Sequence, residues 1–150
     1  MRRIYSKAIA VGCNVLEKAS VSAACDEVVA KLGGVDILVN GAGGNKKEAT
    51  TSPTQSFFDL DAASVQWVFS LNFLGTLLPS QCFGREIIKR EGSIINISSM
   101  NAFKPLTNIP AYSGAKAAVS NFTQWLAVHL SQNYSTKVRV NAIAPGFFLS

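Results

Sequence analysis

The chain has 150 residues, 48% hydrophobic and 15% charged, with a formal net charge of +5. One domain with a real core is the expectation at this length, and the low charge and high apolar content exclude a disordered chain. No apolar run reaches the roughly 18–20 residues that cross a bilayer, since VFSLNFLGTLLP is broken by Asn72, and the run after Arg2–Arg3 is too short for a secretory segment.

In chain order, KAIAVGC (7–13) reads as a short strand. Ser20 is placed to cap a helix running to about Leu32, with Val21, Ala24, Val28 and Leu32 at helical spacing and Gly33–Gly34 to end it. VDILVN (35–40) is a β-branched strand, and residues 41–56 form a polar, glycine-rich loop. Asp61 caps a long helix over 62–90, with Val65, Val68, Phe69, Asn72, Phe73, Thr76 and Leu77 on one stripe. GSIINIS (92–98) is a strand, 99–109 a loop, and 110–133 a second long helix with Pro110 in its first turn. KVRVNAIAPG (137–146) is a last strand, stopped by Pro145–Gly146.

The order is β-α-β-α-β-α-β, and the strands are apolar rather than alternating. That pattern predicts an α/β fold, a parallel sheet covered by helices on both faces. Ligands of such sheets sit outside the carboxyl ends of the strands. Polar residues gather there: Asn40 with Gly41–Gly43, Ser98 and Ser99, and Asn141 to Gly146.

Composition limits the chemistry. Cys13, Cys25 and Cys82 are widely spaced, with no CxxC, and His129 is the only histidine. This fits free thiols in a reducing cytoplasm and gives no ligand set for a metal. The basic pairs Arg2/Arg3, Lys46/Lys47 and Lys89/Arg90 fall at a terminus, in a loop and at a helix end. Such scatter marks a solvated surface, not a nucleic-acid footprint.

Four features carry possible chemistry. Asn72 lies on an apolar helix stripe, where an unpaired amide costs on the order of a few kcal/mol; by itself it reads as a satisfied buried amide. Ser99 ends an apolar strand and alone is turn punctuation. Tyr112 and Lys116 stand one helical turn apart on the same face. An ammonium beside a phenol favours the phenolate, which makes Tyr-x-x-x-Lys a sensible proton-transfer unit. Asn40-Gly41-Ala42-Gly43 follows a strand, and its glycines permit either close ligand approach or a tight turn.

Together these features resemble the short-chain dehydrogenase/reductase family over essentially the whole chain. Ser99 lies thirteen residues before Tyr112, the tyrosine and lysine appear as YSGAK, Asn-Asn-Ala-Gly appears as residues 40–43 with glycine second, and Pro-Gly appears at 145–146. The resemblance implies a Rossmann-like doubly wound sheet binding NAD or NADP. It implies Tyr112 as the acid/base and Lys116 as the group that lowers its pKa and holds the nicotinamide ribose. Ser99 would polarise the reacting carbonyl, and Asn72 would hold a water of a proton relay. Asn14, Val15, Asn40, Gly41, Ala42, Gly43, Ile97, Pro145, Gly146 and Phe147 would line the cofactor, with Asn14 replacing the family's aspartate beside adenine.

Measured against the family, the first two strands, with their phosphate-binding turn, and the last strand are missing. The chain then reads as an internal fragment in which VDILVN presents an unpaired edge and cofactor binds poorly. Its serine-to-tyrosine region looks most like the sugar-acid branch, the fructuronate reductases (D-mannonate oxidoreductases). Asn101 and Lys104 are candidate substrate partners beside Ser99 and Tyr112. A 3-oxoacyl thioester or other sugar reductase is the alternative, as is a truncated, non-catalytic chain serving only as a binding partner. The resemblance also implies a homodimer or homotetramer of the parent through helices 62–90 and 110–133, a small-molecule substrate, and no membrane or nucleic-acid partner.

Overall fold

The computed structural model describes residues 8–147. Helix α1 spans Lys18–Leu32 and strand β1 Ile37–Asn40. Helix α2, Ala62–Phe69, runs through a π turn, Ser70–Leu74, into α3, Gly75–Lys89. Strand β2 (Ser93–Ile97), helix α4 (Pro110–Asn133) and strand β3 (Arg139–Ile143) complete the order. The three strands are parallel, in the order β1-β2-β3.

Local chemistry explains most boundaries. Asp61 caps α2 by accepting a hydrogen bond from the Ser64 N–H at 2.7 Å, and the Ser64 hydroxyl first, then this N–H, hold its carboxyl below the usual range. Pro110 occupies the first turn of α4, where its missing N–H costs nothing. Gly33 ends α1 with φ +88°, its N–H returning to the Val29 carbonyl. The start of α1 differs from expectation: the helix begins at Lys18 without a side-chain cap. Ser20 instead accepts the Asn14 N–H at 2.8 Å.

The expected single helix over 62–90 is interrupted by the π turn, where the Gly75 N–H reaches back five residues to Ser70. Asn72 Nδ2 donates to the Val68 carbonyl at 2.7 Å, a bond that an α-helical backbone would make for itself. Pro79 follows inside α3 and supplies no N–H at all.

KAIAVGC is not a strand. Residues 8–13 lie outside the sheet, and Lys7 falls outside the described residues. A strand persists only within a ladder, and the chain turns at Asn14 instead, with Glu17 N–H bonding the Asn14 carbonyl. β1 is therefore an edge of the described sheet, as anticipated.

The helices cover one face of the sheet, not both. The core packs Ile94 and Val140 beneath Ile87, Leu126 and Leu130, with Leu38 beside them. The register puts Ile37 opposite Ser93 and Arg139, and Val39 opposite Ile95 and Asn141. Those residues form the other face, where Ile37 is 62% and Val39 57% exposed. This one-sided cover gives β2 an alternating burial that its apolar composition does not announce.

Three ion pairs lie at the surface. Lys89 pairs with Glu86, Arg90 with Asp36 and Lys137 with Glu91. Such exposed pairs add little to stability, because solvent and salt screen them.

Candidate active site

The carboxyl ends of β1 and β2, the π turn and the first two turns of α4 converge. Lys116 is buried to 4% exposure, and its Nζ donates to the Ile97 carbonyl at 2.7 Å. An ammonium has three donors, and Ile97 is the one recorded hydrogen-bond partner among the described residues. Nζ lies 5.6 Å from the ring centroid of Tyr112, one turn earlier. Burial pushes the Lys116 pKa below the ordinary 10.5. The folded chain then holds fewer protons between the two values, so stability from this group rises with pH across that window.

Asn72 is fully buried and satisfied. Its Nδ2 donates to the Gly44 and Val68 carbonyls, both at 2.7 Å, and its Oδ1 accepts the Gly44 N–H at 3.3 Å. Its side chain clamps the loop after β1, and its backbone carbonyl accepts the Thr76 hydroxyl at 2.9 Å. Gly43 fits against this clamp because it has no side chain. A Cβ there would lie 2.7 Å from Asn72 Oδ1 and 3.3 Å from Lys116 Nζ. Gly43 thus marks where Asn72 and Lys116 meet. Gly43 is itself exposed, and a buried ammonium with spare donors behind it suits a ligand rich in hydroxyls and phosphates.

Ser99 is 8% exposed and begins a short 3-10 turn, Met100–Ala102, its Oγ accepting the Asn101 N–H. That turn packs on α4. The Met100 N–H donates to the Pro145 carbonyl at 3.0 Å, and a Cβ on Gly146 would lie 3.3 Å from Met100 Sδ. Pro145 and Gly146 therefore border the serine turn, while Phe147 projects outward at 81% exposure.

Other predicted site residues are placed differently. Asn101 is turned inward, 4% exposed, with Nδ2 3.5 Å from Ser113 Oγ on α4; the turn that presents Ser99 buries it, so it does not line the open side. Lys104 is exposed on the same loop. Asn40 is a core residue, donating to Ser80 Oγ at 2.9 Å and Asn96 Oδ1 at 2.8 Å. Its side chain joins strands and helix instead of facing a groove. The Asn14 side chain is held by its own turn, with Oδ1 accepting from Leu16 N–H and Nδ2 donating to Glu17. Val15 approaches Gly75, where a Cβ would be 3.1 Å from Val15 Cγ2 and 3.9 Å from Ala42. Gly41 is exposed, with open space at its Cβ position.

Sequence reasoning placed Ser98 among the polar residues at the strand ends without giving it a role, and it missed Asn96, Ser120 and Thr123. Ser98 Oγ bonds the Lys116 carbonyl at 3.2 Å and pairs with Ser120 Oγ at 2.6 Å. Asn96 Nδ2 donates to Thr123 Oγ1 at 2.9 Å. The available signal was the one that flagged Asn72, an amide inside an apolar element.

An apolar hollow of about 840 Å³ lies elsewhere, lined by Phe57, Leu60, Val65, Phe69 and Phe73. Ser99, Tyr112 and Lys116 are absent from its walls. Among the described residues no three His, Cys, Asp or Glu side chains cluster to hold a metal, and no helix is long and apolar enough to cross a membrane.

Residues 1–150 match the family model described as short chain dehydrogenase. An uncharacterized oxidoreductase of Haemophilus influenzae is 52% identical, the match covering 96% of this chain and 53% of that protein. The uncharacterized oxidoreductase UxuB of Bacillus subtilis is 48% identical over 95% of this chain and 54% of its own length. Among solved structures, a Haemophilus influenza protein with bound NAD, provisionally assigned as a D-mannonate oxidoreductase, superposes with a TM-score of 0.89 at 50% identity, over 97% of this chain and 55% of that one. The chain spans about half the length of these relatives. With its whole length matched and its Ser99, Tyr112 and Lys116 brought to the strand ends, the chain belongs to the short-chain dehydrogenase family.

Proposed function

We propose that the protein carrying this chain interconverts a secondary alcohol and a ketone on a sugar acid of the fructuronate/mannonate type. The observation that carries this reading is the Tyr112–Lys116 pair, with Lys116 buried at the strand ends and its spare donors beside Gly43. The Tyr112 hydroxyl passes a proton to or from the substrate oxygen. Lys116 favours the anionic phenol electrostatically and donates to ligand hydroxyls. Ser99 donates to the reacting carbonyl. Lys116, Tyr112, Ile97, Gly43 and the Pro145–Phe147 segment would hold a nicotinamide dinucleotide, which supplies the hydride when bound. Asn72 supports these groups by fixing the loop at Gly44.

The sugar-acid assignment draws on the D-mannonate assignment of the similar NAD-bound structure. Exposed Lys104, on the serine loop, is the cation available to a substrate carboxylate. In the complete protein, Tyr112→Phe lowers kcat for fructuronate reduction by about 10²–10⁴-fold, with either NADH or NADPH as donor. Retention of the rate would overturn the assignment of Tyr112. Faster turnover of a 3-oxoacyl thioester than of fructuronate would move the substrate to another branch.

We also infer that the outer faces of the helical segments 62–90 and 110–133 contact a second copy. An aromatic run, Phe69, Phe73, Phe122, Trp125 and His129, crosses this surface, and Trp125 is 56% exposed. Sedimentation of the complete protein as a monomer, unchanged by Trp125→Glu, would refute it.

A further inference from the structure

Strand β2 and helix α4 are joined at three successive residues, the last two of the strand and the one that follows it. Asn96 donates to Thr123, the Ile97 carbonyl accepts from Lys116, and Ser98 bonds the Lys116 carbonyl and Ser120. The outermost rung has a fixed polarity. Thr123 Oγ1 spends its proton on the Val119 carbonyl at 2.7 Å, so toward β2 it can only accept. Ser80 Oγ likewise spends its proton on the Thr76 carbonyl at 2.7 Å. Asn40 Nδ2 therefore donates to both Ser80 and Asn96 Oδ1, which turns Asn96 Nδ2 toward Thr123. A chain of bonds thus joins α3, β1, β2 and α4, with Asn40 donating outward both ways, to Ser80 and, through Asn96, to Thr123. Its members are 0–6% exposed.

This chain ends one strand residue away from the carbonyl that holds Lys116. Thr123 lies seven residues beyond Lys116, two turns along the same face of α4, with buried Val119 between them. A slide or rotation of α4 on β2 would part the lysine from Ile97, its one recorded hydrogen-bond acceptor. We infer that Asn96 and Thr123 are positioning residues for Lys116: their bond sets the height and rotation of α4 on β2 and so keeps the ammonium at the Ile97 carbonyl. The inference rests on the Tyr112–Lys116 reading above.

The test compares Thr123→Val with Thr123→Ser in the complete protein. Valine keeps the volume and removes the acceptor, and serine restores it. Thr123→Val is expected to lower kcat about tenfold, leave the KM of the carbonyl substrate within about twofold, and move the limb of the pH–rate profile that depends on Lys116 toward higher pH, because an ammonium freed from its buried seat at Ile97 loses the desolvation that lowers its pKa. Among the described residues, Tyr112 is the titratable ring that faces Lys116, and burial is what lowers the lysine's own pKa. Thr123→Ser is expected to recover rate and limb together. A Thr123→Val protein with a lower melting temperature but an unmoved limb and wild-type kcat would overturn the inference, leaving Thr123 a purely structural residue. Should that variant fail to fold, Asn96→Asp reads the same bond, since a carboxylate presents an acceptor to an acceptor; an unchanged limb there also overturns it. Tyr112→Phe separates the two ideas: if it stays active, the site reading falls and this inference with it, whereas an inactive Tyr112→Phe beside a silent Thr123→Val overturns the inference alone.

Discussion

The two faces of the three-stranded sheet are made of similar residues and end in opposite environments. On one face Leu38, Ile94 and Val140 lie beneath α3 and α4, with Asn40 and Asn96 in the bond chain between them. On the other, Ile37, Val39 and Ile143 remain 62%, 57% and 52% exposed. Isoleucine and valine occur on both, so strand composition does not decide burial; the path of the connecting helices does. The candidate site belongs to the covered side, because α4 delivers Tyr112 and Lys116 and the π turn delivers Asn72. Its polar groups are held by bonds that α3, both strands and α4 must close together.

Ile94→Ala should have the largest effect of the stability tests. Ile94 is fully buried in the α3/α4 cluster, and its truncation costs about 2–5 kcal/mol. Urea unfolding of the 150-residue chain, followed by far-ultraviolet circular dichroism, measures it as a fall in midpoint at constant slope. A loss below about 0.5 kcal/mol, the level of an ordinary surface substitution, would mean that the helices do not cover this face in solution.

Much of the covered side was legible in the sequence. Helix α4 was marked by Pro110 at its start, and Tyr112 and Lys116 by their four-residue interval. Asn72 was conspicuous as an amide in an apolar stripe, and its buried, satisfied state agrees with the plainer reading of that amide. What escaped was whatever depends on a partner distant in sequence. Asn40 and Asn96 are 56 residues apart, and nothing local to either shows that they bond. Asn72, in the π turn, bonds Gly44 across 28 residues. The strand expected at KAIAVGC failed for the same reason: β structure needs a neighbour, and apolar composition alone does not supply one.

The smallest expected effect falls on the open face. Val39 projects from β1, away from α3 and α4, and keeps more than half of its surface in water. Val39→Thr keeps the β-branched shape, so strand preference changes little. The added hydroxyl meets solvent, and no buried polar penalty arises. The change in unfolding free energy should stay within about 0.5 kcal/mol. The same substitution at Ile94 would place a hydroxyl in the core, so matched threonine variants at 39 and 94 turn the two faces into a direct measurement. A loss of about 2 kcal/mol or more at Val39, well outside the range of surface substitutions, would show that something covers this face in solution. If that loss grew with protein concentration, the cover would be a second copy of the chain. If it did not, the cover would come from the chain itself, and the one-sided sheet would be the feature to abandon.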